Sequence, residues 1–280
     1  MTPGGHASKI AAGAMALAAI ASAALPAAAT ASGAADFALG LTTRSPASPT
    51  GNAVHVFLRR ADDPNAKPPA LRSAMIHLPD GLRFDTTAVP QCTASDAEIQ
   101  LLGTNACPSD SELTVGSFSA ITGFGPPIDP LKGDDHVFNG RNEFIEIITA
   151  PGTPISPVVD HLTISGSTLT AHPPAAPGGP PDGQGAVRSL DFKVPARTAG
   201  SKSLITTPPE CPTSKLWTTT ATFGFADGST STVASTTQCE RATGQPQPVP
   251  HTERQAGPRS PEHARRRAGH RRRVRAARPR

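Results

Sequence analysis

Residues 211–239 begin and end on cysteine and enclose two strand-like arms around a turn, and no other stretch of this 280-residue chain restricts its possible folds so strongly. On the first arm Trp217, Thr219, Ala221, Phe223 and Phe225 recur at every second position, the spacing of one face of a strand. Asp227-Gly228 suits the positive φ angles of a tight hairpin turn. Beyond it Val233, among a run of Thr and Ser, supplies a second arm of good strand formers. Cys211 and Cys239 can then close the hairpin covalently.

The N-terminal residues explain the cysteines. A short polar start with Lys9 precedes an apolar run at 10–25, and small residues follow, with Ala27-Ala28-Ala29 and Ala29-Thr30-Ala31 fitting a cleavage site. Residues 1–31 therefore read as a secretory signal peptide, too short in its apolar run to be a comfortable membrane span. No transmembrane segment is expected after its removal, and the mature chain is expected in the secreted or cell-surface compartment, where disulfides persist. Four cysteines, at 92, 107, 211 and 239, allow three pairings. Cys92 with Cys107 and Cys211 with Cys239 is the favoured set, because each pair closes a turn-rich segment of its own. A closed loop of about 15 residues contributes about 3 kcal/mol, and one of about 28 slightly more. A four-thiolate zinc site is the rival reading, and the wide spacings and exported context argue against it.

Charge divides the mature chain. Residues 32–239 hold 13 Lys and Arg against 19 Asp and Glu, a net −6, whereas 240–280 hold 12 Arg against 3 Glu, a net +9. The basic isoelectric point thus conceals an acidic body and a polycationic tail, read as disordered. Such a tail suits anionic cell-wall polymers or lipid headgroups, though its Arg, Ala, Pro, Gly and His composition is also what a GC-rich gene yields out of frame. Nucleic acid is not the expected partner, since the tail lacks aromatics for stacking and the body offers no second basic surface.

Within 32–239, strand-like runs at 36–43, 53–58, 73–78, 113–121, 143–149, 161–171, 187–194 and 203–207 alternate with Pro, Gly and Asp punctuation. Only 93–102 looks helical, with Thr93 placed to cap it and Asp96 and Glu98 in its first turns. Many short strands predict an all-β domain, a β-sandwich or jelly roll. The proline- and glycine-rich stretch 172–185 reads as a surface connection between two strands, with presentation to a partner as its functional alternative.

Several landmarks carry a resemblance. Leu78-Pro79-Asp80-Gly81-Leu82-Arg83-Phe84-Asp85, Ala88-Val89-Pro90-Gln91-Cys92, residues 103–108, Val115-Gly116-Ser117, Val137-Phe138-Asn139-Gly140, Thr207-Pro208-Pro209-Glu210-Cys211-Pro212 and the Trp217 hairpin resemble an uncharacterised family of secreted actinobacterial proteins. The resemblance spans roughly 73–239. It implies a β-rich extracellular domain with two disulfides and carries no catalytic residue, and such proteins typically end near the last cysteine.

Catalytic motifs are sparse. The chain holds no Gly-x-Ser-x-Gly elbow, His-Glu-x-x-His, phosphate-binding Gly-rich loop or calcium loop. Two constellations stand out as weak candidates for a hydrolase: Asp134-Asp135-His136, and Asp160-His161. Adjacent residues on a strand point to opposite faces, so neither converges without help from the fold. Asp134 and Asp135 follow Lys132-Gly133 and read as a solvated turn, while His55 and His77 read as structural residues within apolar strands. No metal or cofactor is implied.

With no Tyr and a single Trp on the apolar face of the hairpin, sugar stacking is disfavoured too. The expectation is an exported β-domain with a structural or protein-interaction role and an unidentified extracellular or cell-envelope partner. A secreted hydrolase using Asp135, His136, Asp160 and His161, and a polybasic binder of wall polymers, are the alternatives.

Overall fold

The computed structural model describes residues 32–153 and 156–240; the signal-peptide and basic-tail assignments lie outside them. Fifteen strands and one α-helix follow one another: β1 (Gly33–Leu41), β2 (Asn52–Arg60), β3 (Leu71–His77), β4 (Arg83–Phe84), α1 (Asp96–Leu102), β5 (Glu112–Ile121), β6 (Leu131–Asn139), β7 (Glu143–Thr149), β8 (Val158–Ser165), β9 (Thr168–Ala171), β10 (Ala186–Val194), β11 (Thr198–Ala199), β12 (Lys202–Ser203), β13 (Ile205–Thr206), β14 (Leu216–Phe225) and β15 (Thr230–Gln238). Eleven of them form one antiparallel sheet in the order β1-β2-β10-β5-β6-β7-β8-β9-β3-β14-β15. The all-β expectation holds. The facing layers come from opposite walls of this one sheet rather than from two separate sheets.

The two ends of the sheet meet. The N–H groups of Gly33, Ala35, Leu39 and Leu41 on β1 donate to the hydroxyls of Ser229, Ser231, Ser235 and Thr237, at 2.8–3.1 Å and a constant sequence offset of 196. A constant offset means that β1 and β15 run parallel. An odd number of strands cannot alternate direction all the way round a ring, so one neighbouring pair must be parallel, and this is that pair. Side-chain hydroxyls serve there as the acceptors a backbone ladder would otherwise supply, which satisfies edge donors that would be costly to bury unpaired. The Ser and Thr on this face of β15 are therefore a closure device as well as good strand formers.

The closing hairpin is as its spacing predicts. Trp217, Thr219, Ala221, Phe223 and Phe225 are buried, and the Trp217 indole donates to the Glu210 carbonyl at 3.2 Å. Only Gly228 of the Asp-Gly pair takes a positive φ. Both disulfides pair as favoured, Cys92 with Cys107 and Cys211 with Cys239. The inner core unites Phe37, Leu39, Leu58, Ile76, Phe223 and their neighbours from nearly every wall.

A second cluster lies outside the sheet. Ile99 of α1 and the Cys92–Cys107 disulfide pack on Phe138, Ile145, Ile147 and Val159, so β7 is buried on both faces. The helix begins three residues later than the sequence predicts. Ser95, not Thr93, caps it, through a reciprocal capping box with Glu98, which places a negative charge in its first turn. Asn139 fixes the preceding loop by donating to the carbonyls of Thr86, Val89 and Pro90.

Two further expectations are corrected and a third is refined. The run 161–171 is a hairpin, β8 and β9, folded at Gly166, whose positive φ supplies the turn. Lys132-Gly133-Asp134-Asp135 is the start of β6 rather than a solvated turn. A Cβ on Gly133 would lie 1.9 Å from the Thr149 carbonyl oxygen, so this glycine serves close strand approach and not a bend. The stretch 172–185 is a connection, as expected, but an anchored one: Lys67 reaches both Asp182 and the Gly179 carbonyl, and the Gly179 N–H donates to Thr122. No helix among the described residues is long and apolar enough to cross a membrane.

Candidate functional site

Register decides what the four candidate residues can do together. Val137, Glu146 and Asp160 are direct partners across β6, β7 and β8, so their side chains share the inner face, and Asp135 lies on that face two residues before Val137. His136 and His161 consequently point outward. The sheet thus separates Asp135 and Asp160 from the imidazoles that immediately follow them, while Asp134 shares the outer face with His136.

Outside, each histidine is already paired. His136 Nδ1 is 2.7 Å from Glu112 Oε1. His161 bridges two elements, with Nδ1 3.0 Å from Glu143 and Nε2 2.9 Å from Asp96 of α1. Burial pulls its pKa down, but the hydrogen bonds to Asp96 and Glu143 outweigh that, and the net shift is upward. A protonated ring donating from both nitrogens has no lone pair left to act as a general base. His55 and His77 also lie on the outer surface, His55 against Asp191 and His77 against Thr168.

Inside, three carboxyls gather: Asp135 is 0%, Glu146 6% and Asp160 7% exposed. Burial raises the Asp135 pKa to about 7, with His136 opposing and Asp160 adding to the rise. Burial, then Asp135 and Asp160, raises Glu146 well above the usual carboxylate range. Asp160 is raised by burial as well, although its carboxylate accepts the His161 N–H at 2.9 Å. Neither oxygen of Asp135 has a hydrogen-bond partner, nor has Asn52 Oδ1.

Asn52, Glu146 and Asp160, but not Asp135, line a cavity of about 80 Å³ inside the sheet, whose remaining lining is aliphatic and Phe side chains. Asp160 also lines a wider surface pocket of about 500 Å³ with Asp96, His161, Thr163, Thr170 and His172. Of the four sequence candidates, then, Asp160 and His161 share a pocket, Asp135 joins Asp160 from the interior, and His136 stands apart beside Glu112. Glu146 was invisible as a site residue in the sequence. Its one signal is a charge in the middle of the apolar run Phe144-Ile145-Glu146-Ile147-Ile148.

Among the described residues no group of three or more His, Cys, Asp or Glu side chains is arranged to hold a metal ion. No protein family, curated protein or solved structure matches this chain.

Proposed function

We propose that this is an exported extracellular or cell-surface β-domain that works by binding, in a structural or protein-interaction role. The observation that carries this reading is the pairing of His161 by carboxylates on both ring nitrogens, with Asp135 on the opposite face of the sheet. That arrangement holds α1 onto the sheet and leaves the His161 ring, although it shares a surface pocket with Asp160, with no free nitrogen to act on a substrate. The two disulfides and the closed sheet suit a rigid platform in an oxidising compartment. The test is a pull-down from the producing cell's envelope with the oxidised chain, alongside an assay for hydrolysis of envelope polymers and peptides. A saturable envelope partner and no turnover are expected. Turnover that disappears in Asp160→Asn and His161→Gln would replace this reading with that of a hydrolase.

The net charge of +9 on residues 240–280 favours a second reading, electrostatic retention on anionic wall polymers. Removing everything after Cys239 should then lower retention on cells and abolish its dependence on salt. Equal retention of both forms as salt rises would dispose of it.

A further inference from the structure

We propose that the cavity enclosed by the sheet is a binding site for a small aliphatic ammonium ion. This stands independently of the interaction role above. Three observations carry it.

The first is the kind of atom left without a partner. Asn52, 7% exposed, lines the cavity with an unpartnered Oδ1, and both oxygens of fully buried Asp135, two residues before the lining residue Val137 on β6, are unpartnered as well. With Asp135 ionised all are acceptors, and the interior is then short of donors. An ammonium group brings three N–H donors and no acceptor.

The second is the charge arrangement. Glu146 and Asp160 face each other across β7 and β8 on the inner face, with Asp135 on β6 beside them. A buried carboxyl placed against like neighbours is costly to ionise, and well-packed apolar residues of similar volume would be easier to accommodate. A cation between them removes the repulsion and offsets the desolvation together. The histidines whose charge they feel do not supply it, since His136 and His161 face outward and are already paired with acids, and His172 is exposed in the outer pocket.

The third is shape. The remaining lining, including Leu39, Val56, Leu58, Ile76, Leu169 and Phe223, is apolar, which suits an alkyl body. A cavity of about 80 Å³ is roughly half the ~150 Å³ that accommodates benzene, so that body should have on the order of three or four carbons. Asp160 lines both this cavity and the outer pocket, so the two spaces share one carboxyl.

The test titrates the full oxidised chain with n-butylammonium and, in parallel, with n-butanol, following amide or methyl NMR shifts. The expected result is saturable amine binding with a dissociation constant of about 1 mM or tighter. Shifts should centre on β6, β7 and β8, and affinity should strengthen up to tenfold per pH unit between about pH 5 and 7, because the cation must displace a carboxyl proton. Butanol should bind more weakly and without that pH dependence. Glu146→Gln should weaken the amine at least tenfold, and Ala171→Leu, which fills the cavity, should abolish it. Should either variant fail to fold, the wild-type comparison of amine and alcohol decides. Absence of amine binding at about pH 8, or equal affinity for amine and alcohol at every pH, would overturn the proposal.

Discussion

The hydroxyl of Ser235 both accepts from the Leu39 N–H and donates to the Leu39 carbonyl, each at 3.1 Å, so one side chain satisfies the whole peptide edge of a residue on the opposite end of the sheet. Its neighbours Ser231 and Thr237 repeat the accepting half of that arrangement at Ala35 and Leu41. The seam is thus built from residues at every second position of β15, with Val233 the apolar member of the row.

Replacing Ser235 with Ala removes both bonds and leaves partly buried backbone groups unpaired. A loss of about 1–3 kcal/mol is expected, which is roughly a 2–12 °C fall in Tm for a domain of this size. Amide exchange at Leu39 should accelerate, while Ser235→Thr should retain most of the protection. Unchanged exchange at Leu39 in the alanine variant would contradict the seam.

Stability should fall as pH rises through the range in which the interior acids lose protons. Unfolded carboxyls ionise near pH 4, whereas Asp135 in the folded chain holds its proton to about 7 and burial lifts Glu146 well above the usual carboxylate range. Between those limits the folded state binds more protons than the unfolded state, so the slope of unfolding free energy with pH is negative, up to about 1.4 kcal/mol per pH unit for each such group. Asp135→Asn should flatten the profile and be the more stable form above about pH 7. Urea midpoints at several pH values check this, and parallel profiles for the two proteins would refute it.

His161 works in the opposite sense. Its raised pKa means that the charged ring is favoured in the folded state, so its contribution is complete below about pH 6.5 and fades as pH rises through the folded value. His161→Gln should therefore loosen α1 more at about pH 6 than at about pH 8.5. Hydrogen exchange at Ile99, the helix residue whose side chain packs on the sheet, is the readout; equal loosening at both pH values would show that the charge does not matter.

Gly133→Ala tests the strand assignment of β6. The new methyl would lie 1.9 Å from the Thr149 carbonyl oxygen and 2.5 Å from the Phe118 ring, so β5, β6 and β7 cannot all keep their positions. Destabilisation of about 3 kcal/mol or more is expected, at the upper end for overpacking. A fully folded variant with wild-type urea midpoint would return this segment to the turn that its composition suggests.

That glycine also marks where local reading stops. In Lys132-Gly133-Asp134-Asp135 each residue type favours a turn, and nothing nearby shows that Thr149 and Phe118 will press on the glycine from both sides. Asp135 looked solvated for the same reason, although register places it on the inner face beside Val137 and Glu146. The helix is legible as a helix, yet Thr93 and Ser95, on either side of Ala94, fit the capping rule equally well, and only the reciprocal Ser95–Glu98 bonds distinguish them.

What the amino-acid sequence determined is what depends on neighbours along the chain: the all-β class, the Trp217 hairpin and its turn, and the two short-range disulfides. Alternation, turn chemistry and loop closure act over tens of residues or fewer, so they are written locally. The tertiary structure decided that eleven strands form one closed sheet, that β1 and β15 meet through hydroxyls 196 residues away, and that Asp135, Glu146 and Asp160 share an interior. Those outcomes follow from strand order and register. A shift of one residue in register exchanges the inner and outer faces of a strand, so no segment by itself states which of its charges will be buried.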